Sequence, residues 1–295
     1  MTHEWGLLIV LYLFLGGLSG GLLALSALAT LVGRERFRST ARVGAWIAPW
    51  PVLAGTALLV LDLGQPFYFW KLLIAIEPRS PMWVGTWLLT IFSMVSVPYA
   101  CLFLPVWLWR PPDVSRWRRR LAVAGLPLGI GVGIYTGVLL GVLVARPLWH
   151  TPLLAQLFLV SALSSAAALL LVLLRRAATQ QERRALAGAD AALIATELLV
   201  LGWMLIDART STASADAAVA LLSHGAYGLV FWLGVVGLGL VVPLLLEAAE
   251  LMSDTNRLSG TRLERAFHAA PLFVLFGGLA LRWVMVYAGQ ISRLV

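Results

Sequence analysis

The chain has 295 residues and a mass of 31.9 kDa; 60% of the residues are hydrophobic, 12% are charged, and the mean hydropathy is +0.89. Soluble domains average about 45 to 50% apolar and about 25% charged residues, so this chain has too little charge to cover a surface that faces water. The composition predicts an all-α integral membrane protein with no room for a sizeable soluble domain.

Eight apolar segments approach or exceed the length of about 20 residues that a helix needs to cross a bilayer. They run over residues 5–32, 43–62, 82–109, 121–144, 152–174, 189–206, 224–246 and 269–289, and each is bounded by charges, Pro or Gly. The first segment lacks a basic leader and a small-residue cleavage site, so we expect it to remain as the first span. The predicted organisation is a single transmembrane domain over residues 1–295, with eight helices.

The basic residues are divided unequally between alternate connections. Sixteen arginines fall in the odd-numbered connections: Arg34, Arg36, Arg38, Arg42, Arg110, Arg116, Arg118, Arg119, Arg120, Arg175, Arg176, Arg183, Arg184, Arg257, Arg262 and Arg265. The other six basic residues are Lys71, Arg79, Arg146, Arg209, Arg282 and Arg293. The positive-inside rule then predicts cytoplasmic odd-numbered connections and periplasmic N- and C-termini, in a bacterial inner (cytoplasmic) membrane. Because these charges orient helices, their excess does not indicate a nucleic-acid partner.

The cysteine and histidine content argues against a bound redox centre. The chain has one cysteine, Cys101, and so lacks the set of thiolates that an iron–sulfur cluster needs. Its four histidines, at positions 3, 150, 224 and 268, lie at the edges of apolar segments, whereas a two-haem membrane cytochrome needs facing pairs of axial histidines. We expect no metal site, haem or iron–sulfur cluster in this chain, with a single haem at the outer edge as the open alternative.

Two connections on the predicted outer side contain more than a simple hairpin turn. Residues 62–83 form an aromatic-rich stretch long enough for an interfacial helix, and residues 146–152 read RPLWHTP. We expect both to build a structured aromatic floor.

Glycines recur every fourth residue in the fourth apolar segment, at positions 125, 129, 133, 137 and 141. The first segment carries Gly16, Gly17, Gly20 and Gly21. Such faces favour close contact between helix backbones or the approach of a flat ligand.

Two ionisable residues lie inside apolar segments, where each costs on the order of 3 kcal/mol to insert. Glu197 and Arg282 form either a structural pair or part of a proton path. Glu247, three residues before Glu250, marks either a solvated helix end or the inner mouth of such a path. Asp62 ends the second segment and either forms a turn or handles protons at an outer site.

Several short strings, taken together, resemble the NrfD family. They are YLFLGGLSGG at 12–21, DLGQP at 62–66 with FW at 69–70, PRSPMW at 78–83 with Gly85 and Trp87, YTG at 135–137, RPLW at 146–149 and LRWVMVYAGQ at 281–290. The similarity covers nearly the whole chain in order, and it implies the membrane subunit of a polysulfide reductase-like respiratory complex. Such a subunit binds menaquinone or ubiquinone near the periplasmic face, without a haem or cluster of its own.

The resemblance also implies partners. A periplasmic ferredoxin-like iron–sulfur subunit with 4Fe-4S clusters would dock on the outer face and connect to a molybdopterin or other catalytic subunit. This chain would then be the quinone-reactive subunit of a multi-subunit oxidoreductase, with no catalytic residue of its own and with proton translocation as an expected addition.

Residues at the quinone site follow from the same resemblance. Tyr135 matches a family tyrosine that bonds a quinone carbonyl, with an interfacial tyrosine as the alternative. Tyr12 and Gly16 lie on the first segment; Tyr12 matches a position that is histidine in the polysulfide reductase subunit, and a phenol exchanges protons less readily than imidazole. His3 and Glu4 either supply that proton transfer or are solvated, and Arg79 is expected to shape the site or the partner interface.

Two alternatives remain from the residues themselves. A proton or solute transporter would also use buried Glu197 and Arg282, although no pair of segments is broken by Gly or Pro at matching positions, as transporters often require. The other alternative is a structural anchor without quinone chemistry.

Overall fold

The computed structural model describes residues 5–33, 35–62, 74, 77, 80–104, 113–142, 146, 148–253 and 262–291, with the side chains of 262–265 excepted. Within these residues, eight helices are long and apolar enough to cross a membrane, which confirms the predicted all-α membrane fold. The expected interfacial helix at 62–83 falls mostly outside the described residues.

The helices follow one another along the chain as antiparallel crossings. They are α1 Leu7–Val32, α2 Arg38–Ile47, α3 Pro49–Asp62, α4 Pro81–Cys101, α5 Val114–Gly141, α6 Pro152–Leu173, α7 Gln180–Ser211, α8 Ala213–Ser223, the π-helix Val230–Val241, α9 Val242–Met252 and α10 Arg262–Ile291. The second crossing is α2 with α3, and the seventh is the π-helix with α9. Pro49 and Pro51 mark the break between α2 and α3, because proline lacks the N–H that continues a helix.

Helix α1 lies at the centre of the first half of the bundle. It is apolar on all faces and mostly buried, and it contacts α2, α3, α5, α6 and α10. A helix that is hydrophobic all round is one that is enclosed by other helices. Residues of α1 therefore contact both a cavity beside Tyr12 and the buried side chain of Arg282.

The glycine stripe of α5 serves helix packing. A Cβ on Gly129 would meet the carbonyl oxygen of Gly20, and a Cβ on Gly137 would meet the backbone of Ala155. Helices α1 and α6 thus occupy the face that a flat ligand would need, so the packing interpretation is confirmed for these positions.

Several crossings differ in length from their apolar segments. Helix α7 begins at Gln180 rather than at 189, because Thr179 caps it by accepting from the Glu182 N–H. Helix α5 begins at Val114 rather than at 121, because Asp113 accepts from the Arg116 N–H. Charged first turns extend both helices beyond the apolar core, where hydropathy gives no signal. Helix α4 ends at Cys101 instead of 109.

The bundle has two ends that differ in chemistry. At the Trp5 end, which also holds Asp62, Pro81 and Gly141, the Trp5 N–H donates to the Gln290 side chain (2.8 Å), and that side chain donates back to the Trp5 carbonyl (2.9 Å). At the arginine end, which holds the first turns of α2, α5 and α7, Glu182 accepts from the N–H (2.7 Å) and hydroxyl (2.8 Å) of Thr40. The periplasmic orientation of the Trp5 end stays a prediction.

Candidate functional site

A cavity of about 620 Å³ lies near the Trp5 end, between α1, α3, α4 and α5. Its walls are formed by Trp5, Ile9, Tyr12, Leu53, Thr56, Leu59, Val60, Asp62, Met82, Gly85, Thr86, Leu89, Thr90, Ser93, Met94, Tyr135 and Leu139. This volume falls within the range of about 300 to 1,000 Å³ that small-molecule sites occupy, and the mostly apolar wall with a few polar groups is typical of them.

Two phenols meet at the inner wall of this cavity. Tyr12 from α1 is 1% exposed, Tyr135 from α5 is 7% exposed, and the two side chains interact with each other. The Tyr135 hydroxyl donates to the carbonyl of Pro81 at 3.1 Å. Tyr135 lies six residues, or about 9 Å, inside the end of α5, so it is a cavity residue rather than an interfacial belt tyrosine.

Other hydroxyls in the wall are already engaged. Thr86, Thr90 and Ser93 each donate to the carbonyl four residues earlier on α4, at 2.7 to 2.8 Å. Their protons therefore satisfy the helix rather than face a ligand. The two tyrosines and Asp62 are the wall groups best suited to bind a polar head group.

The cavity reaches the outer surface of the bundle between α3 and α4. Leu53, Met82 and Met94 line it and are also exposed, Met94 by 70%. In a membrane this surface faces lipid, so an apolar molecule has a lateral route into the cavity.

An aromatic pair closes the cavity toward the Trp5 end. The ring of Trp5 stacks on that of Trp149 with centroids 5.5 Å apart, and the Trp149 indole donates to the Met285 carbonyl at 2.7 Å. Arg146 donates to the Gln290 carbonyl nearby. Arg146 and Trp149 of the RPLW string thus pack against the Trp5 end and α10.

Two of the residues predicted at the quinone site, Tyr12 and Tyr135, line one cavity. Asp62, predicted as a turn or as an outer proton site, lines the same cavity. Gly16 does not line it, because Gly16 faces the side chain of Thr136 in the α1–α5 contact. His3, Glu4 and Arg79 lie outside the described residues.

A second polar cluster begins at Arg282, whose side chain is fully buried. Its guanidinium donates to Ser161 Oγ (2.9 Å) and to the carbonyls of Gly278 (2.7 Å) and Phe158 (3.4 Å). Arg282 also lies 5.6 Å from the ring centroid of Phe14 on α1. These contacts offset part of the cost of a buried cation.

Glu197 and Arg282 interact without a direct salt bridge. Within the described ranges they make no salt bridge of 4.0 Å or less, yet they interact electrostatically, and Ser161 contacts both residues. The helices α6, α7 and α10 place the two groups around this serine, and the choice between a structural pair and a proton path stays a prediction.

Two further buried acids lie toward the arginine end. Asp190 on α7 is fully buried, accepts from Ser164 Oγ at 2.7 Å, and interacts electrostatically with Glu197 and Glu247. The carboxyl groups of Asp190 and Glu247 lie within hydrogen-bonding reach of each other. Two carboxyl groups form a hydrogen bond only when one of them carries a proton, so this pair can hold a proton.

Glu247 is 2% exposed, so the expectation of a solvated helix end was wrong for this residue. It lines a cavity of about 180 Å³ at the arginine end, together with Arg183, Glu250 and His268. Arg183 pairs with Glu250 at 3.5 Å. Helix α10 packs against α9. Glu247 is buried on α9, whereas Leu245 and Met252 on the same helix are exposed.

Comparison with known proteins decides the family. The family model described as "Polysulphide reductase, NrfD" matches residues 1–293. The chain belongs to the NrfD family.

Individual NrfD-family relatives match over almost the whole chain. A polysulfide reductase chain of Wolinella succinogenes is 34% identical and protein NrfD of Escherichia coli is 31% identical, each over 98% of this chain and 95% of the relative. A selenate reductase subunit of Mesobacillus selenatarsenatis is 24% identical over 98% of this chain and 74% of the relative.

Membership in the NrfD family identifies a multi-pass membrane anchor subunit of the respiratory oxidoreductase type. This assignment disfavours the transporter alternative, since the same buried Glu197 and Arg282 occur here in an oxidoreductase subunit.

Sequence reasoning missed Asp190, Ser161 and Ser164. Asp190 precedes Glu197 by seven residues, which is two helical turns, so the two acids share one face of α7. The spacing indicates that the two acids share a helix face. Asp190, however, lies at the edge of an apolar segment, where a charged residue is usual.

Proposed function

We propose that this chain binds a quinone or quinol in the tyrosine-lined cavity and passes electrons between it and a partner subunit. The observation that carries the proposal is the convergence of Tyr12 and Tyr135 on one apolar cavity that opens toward lipid. Reduction of a quinone takes two electrons and two protons, and oxidation of a quinol returns them. The chain's part is to hold the ring and to supply or accept those protons.

The chemistry of the wall fits a quinone. A quinone ring offers carbonyl oxygens, which accept hydrogen bonds, and two flat apolar faces. The Tyr135 hydroxyl donates to the Pro81 carbonyl, and it can turn its proton to a ligand carbonyl instead. The buried Tyr12 side chain interacts with that of Tyr135. Leu89 and Leu139 offer apolar contact to the ring, and the isoprenoid tail leaves between α3 and α4. Menaquinone and ubiquinone both meet this description.

The cavity lies near the Trp5 end, which favours electron exchange at that end. The cavity is lined by Trp5, whose ring stacks on Trp149 at that end of the bundle. We infer that a ferredoxin-like iron–sulfur subunit docks there and links to a molybdopterin or other catalytic subunit, as the reductase names of the relatives support. The arginine bias supports a periplasmic location for this end.

The buried acids support a proton path from the arginine end. In order they are Glu247 at the small cavity, Asp190 with Ser164, Glu197 with Ser161, and Arg282 beside α1. The direct contact between the carboxyl groups of Asp190 and Glu247 lets a proton pass from one to the other. We propose that protons for quinone chemistry move along this line. Asp62 would act at the other end, in the cavity wall.

Replacement of each phenol tests the site. Tyr135→Phe and Tyr12→Phe remove one hydroxyl each and keep the ring, so each should weaken quinone binding to the purified chain, Tyr135→Phe by about tenfold for one lost hydrogen bond. Binding can be followed by quenching of tryptophan fluorescence and compared with quinone-linked turnover of the whole complex. Tyr287→Phe is the matched control, because Tyr287 packs against Trp283 and does not line the cavity. Unchanged affinity in both cavity variants would rule out this site.

A further inference from the structure

A third cavity, of about 410 Å³, lies at the arginine end, on the opposite side of the membrane from the tyrosine-lined cavity. Four segments form its walls: the last turn of α1, the first turns of α2, the residues after α4 and the first turns of α5. Its lining comprises Thr30, Glu35, Arg38, Ala41, Arg42, Phe103, Leu104, Ser115, Arg118 and Arg119. Neither quinone binding nor the proposed proton path uses any of these residues.

The cavity is strongly cationic. Four arginines and one glutamate line it, which leaves a net charge of +3. Arg38 and Arg42 lie one turn apart on α2, so their side chains project to the same side. In the part of the chain that the structure describes, Arg38, Arg42 and Arg119 make no ion pair and no side-chain hydrogen bond. Three guanidinium groups are thus available to a ligand.

The fourth arginine forms a fixed wall. Arg118 donates through Nε (3.1 Å) and Nη2 (2.5 Å) to the carbonyl of Leu102, and its guanidinium lies 4.3 Å above the ring of Phe103. These contacts hold its positive charge at the side of the cavity. They also join the end of α4 to the start of α5.

The level of the cavity in the bundle identifies the kind of anion. Thr30 is in the last turn of the first crossing, and the α2 arginines are in the first two turns of the second. Leu28 and Val32, in the same turns of α1 as Thr30, are exposed on the outside of the bundle. Charged groups therefore meet lipid-facing apolar surface at the level where phospholipid head groups lie.

We propose that this cavity binds the phosphate of an anionic phospholipid. The head-group phosphate is held by Arg38, Arg42 and Arg119, and the acyl chains start beside Leu28 and Val32, the exposed residues in the last two turns of α1. Guanidinium groups bind phosphate oxygens through paired, charge-assisted hydrogen bonds, and a lipid supplies both the anion and the apolar tail that this location requires. Glu35 also lines the cavity, and its negative charge weakens the binding of an anion.

Lipid-dependent thermal stability and native mass spectrometry of the delipidated chain test the proposal. Phosphatidylglycerol and cardiolipin should raise the melting temperature of the wild-type chain and remain bound in the mass spectrometer, whereas phosphatidylcholine should do neither. In Arg38→Gln with Arg42→Gln, binding should weaken about thirtyfold, from about fivefold for each arginine. Glu35→Gln should strengthen binding by a similar single step.

Arg120→Gln with Arg176→Gln is the matched control, because both arginines are exposed at the same end and neither lines the cavity. It removes the same charge and should bind lipid as the wild type does. Equal loss in both double variants would overturn the proposal in favour of a diffuse surface charge. Equal stabilisation by inorganic phosphate or pyrophosphate would overturn it in favour of a soluble anion.

Discussion

Tyr135 occupies the space that a side chain on Gly85 would need. The phenol oxygen and Cζ of Tyr135 are the atoms nearest to the position of a Cβ on Gly85. Helix α4 therefore holds the Tyr135 hydroxyl in two ways: Gly85 admits the ring, and the Pro81 carbonyl one turn earlier accepts its proton. Gly85 has no side chain, and its small size therefore determines where the Tyr135 hydroxyl lies in the cavity wall.

Gly85→Ala should displace the Tyr135 phenol and weaken quinone binding by about tenfold, the worth of one hydrogen bond. Titration of the purified chain with a quinone measures this effect. Gly202→Ala introduces the same methyl group on a membrane helix where nothing lies within 4 Å of the new Cβ, and it should bind normally. If Gly85→Ala and Tyr135→Phe act through the same hydroxyl, the double variant should be no weaker than the stronger single variant.

Gly129→Ala should destabilise the fold by about 1 to 3 kcal/mol through overpacking. The new Cβ would lie 2.5 Å from the Gly20 carbonyl oxygen and 2.8 Å from the Ala24 nitrogen, both backbone atoms that cannot yield. Gly125→Ala, in the same stripe, meets only the Leu23 side chain at 3.3 Å, so its melting temperature should stay close to that of the wild type. Equal melting temperatures for the two variants would contradict the packing role.

Glu182→Ala should cost about 3 kcal/mol, because two buried hydrogen bonds to a charged acceptor are lost from Thr40. These bonds join the first turn of α2 to the first turn of α7. Denaturation of the purified chain in detergent gives the difference in stability. Glu182→Gln keeps one acceptor oxygen and should recover part of the loss, whereas Gln181→Ala, on an exposed neighbour, should have little effect.

Asp190→Asn should lower the number of protons translocated per electron while leaving quinone affinity intact, since Asp190 lies in the proposed proton line and not in the cavity wall. The complex in proteoliposomes, with a pH-sensitive dye inside, provides the measurement. Asp207→Asn changes an exposed acid on the same helix and should leave the ratio unchanged. The proposed path would be untenable if both variants kept the wild-type ratio.

The Asp113 cap of α5 should respond to acid. The Arg116 N–H, and then the Ser115 hydroxyl, hold the pKa of Asp113 below its usual value of 3.8. A depressed pKa means that the cap's contribution is fully present above pH 3.8 and is lost as pH falls through the lower, folded-state pKa. Asp113→Ala should therefore lower the melting temperature slightly at neutral pH, and the difference from the wild type should shrink below pH 3.8. Arg116→Gln keeps the N–H and should retain the pH response.

The sequence was sufficient to predict the crossings, because about 20 apolar residues in a row have few other outcomes in a protein. It also assigned Tyr12 and Tyr135 to one site, since the resemblance supplied long-range information that periodicity does not contain. The structure adds Asp62 to the same cavity wall. Helix ends were less accurate: the polar turns before 189 and 121 are helical because Thr179 and Asp113 cap them, and hydropathy does not detect a cap.

The buried charges were the least predictable part. The placement of Ser161 between Glu197 and Arg282 depends on how three helices rotate against one another, which no local pattern specifies. The burial of Glu247 likewise depends on the packing of α10 over α9. Asp190, by contrast, could have been found from its seven-residue spacing to Glu197.

The reciprocal hydrogen bonds between Trp5 and Gln290 tie a wall of the tyrosine-lined cavity to the eighth crossing. Trp5 lines that cavity, yet the side chain that bonds both its backbone N–H and its carbonyl lies 285 positions further along the chain, on α10. The cavity is otherwise built by the first four crossings, so a shift of α10 reaches the cavity wall through this backbone clamp.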